Sequence, residues 1–251
     1  RLVLGWCLAV VAVVALGAGA QQLAPGAPVL SQPAAKSEAE VRALIERPAV
    51  KAALKHLSDD YDRMVRELVE LTEIPAPSFK EQARARHFAE LLREAGLKNA
   101  ALDEEGNVVG ERRGADNGPT LVLAAHLDTV FPEGTDTRVK KDGTIYIAPG
   151  IGDDTHGLAV LLALVRALEA AQVRTRGTIV FVADVGEEGL GNLRGVRYLF
   201  EKSPLRKRID LFVSLDGAGD FAITNGGVAS RRYRVTFRGP GGHSFGAFGL
   251  V

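Results

Sequence analysis

A layered α/β fold is what this sequence predicts, on three observations. Short apolar runs at 120–125, 178–185 and 211–215 are continuous rather than alternating, which suits strands buried on both faces. Segments of helical periodicity at 158–170 and 193–202 fall between the later runs. Strands and helices in alternation build a sheet covered by helices.

The elements follow in order. Residues 2–20 form an apolar stretch that ends in Ala18-Gly19-Ala20 before Gln21, the small-residue pattern of a cleavable secretion signal. A membrane anchor is the competing reading, but 19 residues is borderline for a span. The expectation is therefore a signal peptide over 1–20, a polar linker over 21–37, and a secreted or periplasmic protein. A surface helix is expected at 38–56 and a second helix at 59–71, with Tyr61, Met64, Leu68 and Leu71 on one face. Ile74-Pro75-Ala76-Pro77-Ser78 breaks the pattern, because each proline lacks a donor and steers its predecessor out of the helical region. A third helix over 80–95 ends at Gly96, a C-cap. Residues 108–111 read as a strand, and the alternation described above takes over from there. After Val228 the texture changes: 230–238 alternates through Tyr233, Val235 and Phe237, like a half-exposed strand of another sheet, and Gly239-Pro240-Gly241-Gly242 turns into His243. One domain is expected over 38–227, and 228–251 begins a second.

Composition narrows the function. An apolar fraction of 46% over 251 residues is ample for a packed core. The 31 basic and 31 acidic residues cancel with no basic run, which argues against a nucleic-acid partner and for a small one. The single cysteine, Cys7, lies inside the signal-like stretch, so a cleaved chain has no disulfide, and a metal site must draw on His, Asp and Glu.

Four metal-binding side chains stand at the ends of apolar runs or in the glycine-rich loop between them. His126 and Asp128 follow the run at 120–125, and residues two apart at a strand end point the same way, so Asp128 could accept the second ring N–H of a metal-bound His126. Asp153-Asp154 lies in Gly150-Ile151-Gly152-Asp153-Asp154, before a helix; one aspartate there is an ordinary cap, two are not. A carboxylate in that loop can bridge two cations. Glu187-Glu188 follow the run at 178–184; adjacent acids are usually just solvated, yet consecutive side chains diverge, so one can ligate while its neighbour faces water. Asp216 closes the run at 211–215. In an open α/β sheet such strand-end loops converge on one crevice. His56 and His87 fall in helical patterns without an assigned role, and His156 is ambiguous.

Together, Ala124-Ala125-His126-Leu127-Asp128-Thr129-Val130, Gly150-Ile151-Gly152-Asp153-Asp154, Glu187-Glu188-Gly189, Ser214-Leu215-Asp216-Gly217 and Gly242-His243-Ser244 resemble the dizinc exopeptidase family of peptidase T, glutamate carboxypeptidase, aminoacylase and the acetylornithine deacetylase/succinyl-diaminopimelate desuccinylase enzymes. The resemblance runs from about Asp59 to the end, and its strength lies in five weak motifs standing in the family's order. It implies an α/β/α catalytic domain followed by an α+β lid or dimerisation domain, and a homodimer formed through that lid. It implies two zinc ions, with cobalt or manganese also compatible with the ligand types. His126 and Asp216 would hold one ion, Glu188 the other, and Asp153 would bridge them across a cis peptide with Asp154. Glu187 would be the general base, Asp128 the partner of His126, and His243 an oxyanion donor, often to a neighbouring subunit's site. The substrate would be a small peptide or an N-acyl amino acid, and in this family an aspartate at the Asp216 position goes with aminopeptidase or di/tripeptidase activity. Thr155-His156 replaces the family's common Lys-Gly, a departure that permits a non-catalytic binding protein on the same fold, although both Glu187 and Glu188 are retained and a mere binder needs no base. The family's last ligand, a late histidine, is not among these 251 residues, so the expectation for this chain alone is an incomplete second metal site and little activity.

Overall fold

The computed structural model describes residues 34–217 and the short stretches 223–226, 233–236, 238–239, 241–243 and 245–247. The stretch read as a secretion signal lies outside the described residues. Among those described, no helix is long and apolar enough to cross a membrane.

Four helices lead into the sheet: α1 (Ala34–Ile45), α2 (Pro48–Asp59), α3 (Tyr61–Thr72) and α4 (Gln82–Ala95). The single helix expected over 38–56 is two, because Pro48 has no N–H to continue α1 and holds Arg47 extended, at φ −63°, ψ 135°. Nor is its second half a surface helix, since Val50, Ala53 and Leu57 are buried. In α3, Met64 and Leu71 are buried as the spacing predicts, whereas Tyr61 stays exposed. Helix α4 ends where expected, with Gly96 at φ 130°, a conformation glycine adopts without a Cβ penalty.

Next come β1 (Ala101–Leu102), β2 (Val108–Arg112) and β3 (Leu121–His126), then a hairpin of β4 (Lys140–Asp142) and β5 (Ile145–Ile147). A wide turn, Ile151–Thr155, leads into α5 (His156–Ala170), followed by β6 (Ile179–Asp184), α6 (Arg194–Glu201) and β7 (Leu211–Ser214). The main sheet has the order β1-β2-β6-β3-β7. Its β3, β6 and β7 are mutually parallel, and β2 joins β6 antiparallel. All six residues of β3 and all six of β6 are buried, as their unbroken apolar runs require of central strands. The larger core packs α5, nearly apolar all round, against α4 and one face of these strands, and a smaller one lies on the other face beneath Leu199, Leu205 and Phe212.

One charged network joins the leading helices to the core. The Arg166 guanidinium donates from Nη1 to both Glu67 oxygens at 2.9 and 2.8 Å and from Nε to Asp60 at 2.5 Å, with Arg166 and Glu67 both buried. Removing one member of a buried ion pair strands the other. Arg166→Met should therefore cost about 3–5 kcal/mol in denaturant unfolding, and adding Glu67→Leu should recover much of it. An unchanged midpoint for Arg166→Met would show that the network contributes nothing.

The chain divides into two compact units after Asp220. In the second, the strand expected over 230–238 falls partly outside the described residues; its described parts, 233–236 and 238–239, are exposed and carry no regular element. His243 is exposed there, and its carbonyl accepts from Ala247 N at 2.8 Å.

Candidate metal centre

Register brings the strand ends together. His126 stands opposite Asp184 across the parallel β3–β6 pair, and Ala124 stands opposite Ser214 across β3–β7. The loops after all three strands therefore open at one edge of the sheet. Leu127 N donates to Asp184 O at 2.7 Å and Leu215 N to Ala124 O at 2.8 Å, which continues the pairing into those loops. The proline-rich segment after α3 joins them, with Thr129 N donating to Ala76 O at 3.0 Å.

At this edge His126, Asp153 and Asp216 bring one donor atom each within 4.8 Å of one another, and so do His126, Glu187 and Glu188. His126 is buried, and its Nε2 lies 2.8 Å from Asp153 Oδ1. Its Nδ1 lies 2.9 Å from the main-chain oxygen of Asp128 but 3.7 Å from the Asp128 carboxylate. The nearer partner that would fix the tautomer is thus a carbonyl, which spacing alone did not reveal.

The peptide between Asp153 and Asp154 is cis. Asp153 turns outward, while the buried Asp154 accepts from His126 N at 2.9 Å and Gly157 N at 3.1 Å, tying the end of β3 to the first turn of α5. A side chain at Gly157 would put a Cβ 2.7 Å from both Asp154 Oδ2 and the Leu215 carbonyl, so glycine is required there.

The Asp128 carboxylate is buried and accepts three hydrogen bonds. Glu187 N donates to Oδ1 at 2.9 Å, Glu188 N to Oδ2 at 3.1 Å, and the Ser78 hydroxyl to Oδ2 at 2.6 Å. Beneath it, the fully buried Arg84 donates to the carbonyls of Ile74 and Leu127, at 2.7 and 2.8 Å. Burial pulls the Arg84 guanidinium down to about 10, with Asp128 opposing the shift.

The electrostatics are those of a crowded acid cluster with one imidazole. Burial works against the charge on Asp128, but the His126 imidazole, followed by the bonds from Ser78, Glu187 N and Glu188 N, outweighs burial and holds its carboxyl at about 2. Burial likewise opposes the His126 imidazolium, yet Asp128, Asp154 and Asp184 together raise it to about 10. Asp184 is pushed up to about 8, first by burial and then by Asp128 and Glu187, and its Oδ1 is buried without a hydrogen-bond partner. Glu187 and Glu188 are also raised, by burial first and by neighbouring carboxylates next. A concentration of carboxylates raised by burial and by one another, around a histidine nitrogen and exposed Asp153 and Asp216 oxygens, fits a divalent cation site by charge and donor type.

Of the sequence-predicted site residues, His126, Asp128, Asp153, Glu187, Glu188 and Asp216 meet at this edge. His243 belongs to the second unit. Burial lowers the His156 imidazole at the start of α5. Sequence reasoning missed Asp184, Ser78 and Arg84. Asp184 had a readable signal, a carboxylate closing an apolar run as His126 does. Arg84 had none, since an arginine on a helix reads as solvated.

Residues 107–225 match the model of peptidase family M28. A Pyrococcus abyssi protein named as a LysW-lysine/LysW-ornithine hydrolase is 36% identical over 138 residues, 55% of this chain and 36% of that protein. Carboxypeptidase G2 of a Pseudomonas species is 31% identical over 151 residues, 59% and 35% of the two chains. A succinyl-diaminopimelate desuccinylase of Corynebacterium glutamicum is 29% identical over 175 residues, 69% and 46%. The chain thus spans under half the length of these relatives. Among solved structures, a Staphylococcus aureus tripeptidase superposes with a TM-score of 0.50 at 26% identity, covering 62% of this chain and 43% of that one. Human carnosine dipeptidase 1 shares the fold, with a TM-score of 0.56 at 18% identity over 68% and 41%.

Proposed function

We propose, for a chain that belongs to the M28/M20-type metallo-exopeptidase family, that the protein is a secreted hydrolase that cleaves the amide bond of a small peptide. The observation that carries this reading is the pair of donor groups sharing His126 at one sheet edge, with Glu187 and Glu188 in one and Asp153 and Asp216 in the other. On this reading His126 and Asp216 would hold one zinc ion and Glu188 the other, with Asp153 shared between them. Bound there, the ions would supply an acidified water and a Lewis acid for the scissile carbonyl.

The chain's own residues supply the proton handling. Glu187 is half-buried with a raised carboxyl, which suits a group that takes a proton from the attacking water and passes it to the departing amine. Asp128 holds Glu187 in place through its backbone N–H.

Asp216, together with the similarity to a tripeptidase, supports di- or tripeptides as substrates. A second reading, an N-acyl amino acid hydrolase or carboxypeptidase, is favoured by the similarity to carboxypeptidase G2 and to the desuccinylase. Parallel assays with free-amine tripeptides and with N-succinyl amino acids, each with zinc and with a chelator, test both readings. Chelator-sensitive turnover of the tripeptides is expected. Preference for the acylated substrates would select the second reading, and no metal-dependent turnover of either would remove both.

A further inference from the structure

The proline-rich segment that reads in the sequence as a mere helix break is built into the centre, and we infer that Ser78 is a positioning residue that, through Asp128, fixes the Glu187-Glu188 turn against His126. The inference rests on the proposed metal centre and adds a residue to it. The Ser78 hydroxyl donates to Asp128 Oδ2 at 2.6 Å, the same oxygen that accepts Glu188 N at 3.1 Å, while Glu187 N binds Oδ1. One carboxylate thus gathers three donors from two segments, and its own residue lies two beyond His126 in the chain. Without the hydroxyl, Oδ2 keeps a single donor, and the carboxylate gains a rotation that moves both N–H groups of the acidic turn.

The segment itself is held from both ends. Arg84 binds the Ile74 carbonyl, and Thr129 N donates to Ala76 O. Past Ser78, Phe79 sits at φ 73° with its N–H on Glu81 Oε1 at 2.9 Å. The buried Glu81 also accepts from Arg194 Nη2 through both carboxylate oxygens at 2.8 Å, and Arg194 N closes on Gly186 O at 3.2 Å, immediately before the acidic turn. Left-handed backbone at a bulky residue is strained and persists only where surroundings impose it. Such bracing is what a positioning hydroxyl needs, because a donor on a loose loop fixes nothing.

The test is zinc titration of Ser78→Ala, Ser78→Thr and Ser78→Cys by calorimetry, with thermal unfolding of the metal-free proteins alongside. Loss of an outer-shell partner costs about 10–100-fold in metal affinity or turnover. Ser78→Ala should lose about that much zinc affinity, Ser78→Thr should stay within about threefold of the parent, and Ser78→Cys, a weak donor, should fall between. If peptides are turned over, kcat should follow the same order with KM little changed. Affinity within about threefold of the parent in both Ala and Cys variants would overturn the inference, as would Thr losing as much as Ala. Should Ser78→Ala fail to fold, the Thr-to-Cys difference decides. Because zinc affinity is read without substrate, the result stands even if the protein hydrolyses no peptide.

Discussion

Glu187→Gln should keep the parent's zinc affinity and lose most of its turnover, on the order of 10²–10⁴-fold in kcat. The amide is nearly isosteric with the carboxyl and leaves the backbone N–H on Asp128, so the acidic turn keeps its shape. What it removes is the capacity to accept a proton, the one task that the proposed reaction gives this side chain. Zinc titration and kcat measured on one preparation check it. Loss of zinc with the turnover would mean that Glu187 ligates and Glu188 serves as the base, since the two share one donor group with His126.

His126→Ala should release the ion that His126 and Asp216 are proposed to hold. His126 is the member common to the two donor groups and the only nitrogen in either. Without it that ion keeps only the Asp216 and Asp153 carboxylates, below the three protein ligands that catalytic zinc sites usually supply. The affinity loss should therefore exceed the 10–100-fold expected for an outer-shell partner. A matched Glu188→Gln should weaken mainly the other ion, because Glu188 falls outside the His126-Asp153-Asp216 group. Stoichiometry by calorimetry separates the two variants. Two zinc ions bound by His126→Ala at parental affinity would place the metals elsewhere.

The central strands and the acid cluster were legible for the same physical reason. A strand buried on both faces must be apolar throughout, so a polar side chain appears only where the strand leaves the core, and in parallel strands those exits share one edge. His126 and Asp216 were found in that way, and Asp184 obeys the same rule. Features set by tertiary contact were not legible. Arg84 carries its charge in the interior because two loop carbonyls and Asp128 lie around it, partners 10 to 44 residues away along the chain. His126 Nδ1 lies nearest the Asp128 carbonyl, at 2.9 Å, with the Asp128 carboxylate read as its partner farther off at 3.7 Å, an order set by loop geometry rather than spacing. The split of α1 from α2 was readable in principle from Pro48, but the apolar period continues across it. The hairpin of β4 and β5 was missed because its residues are mostly exposed and its pattern is short.

Anomalous diffraction at the zinc edge, from crystals of the protein grown with zinc, tests the metal centre most directly. Two peaks are predicted at the carboxyl edge of the sheet, one within about 2.0–2.2 Å of His126 and Asp216, the other within that distance of Glu188, with Asp153 reaching both. Peaks away from these residues, or none at saturating zinc, would contradict it.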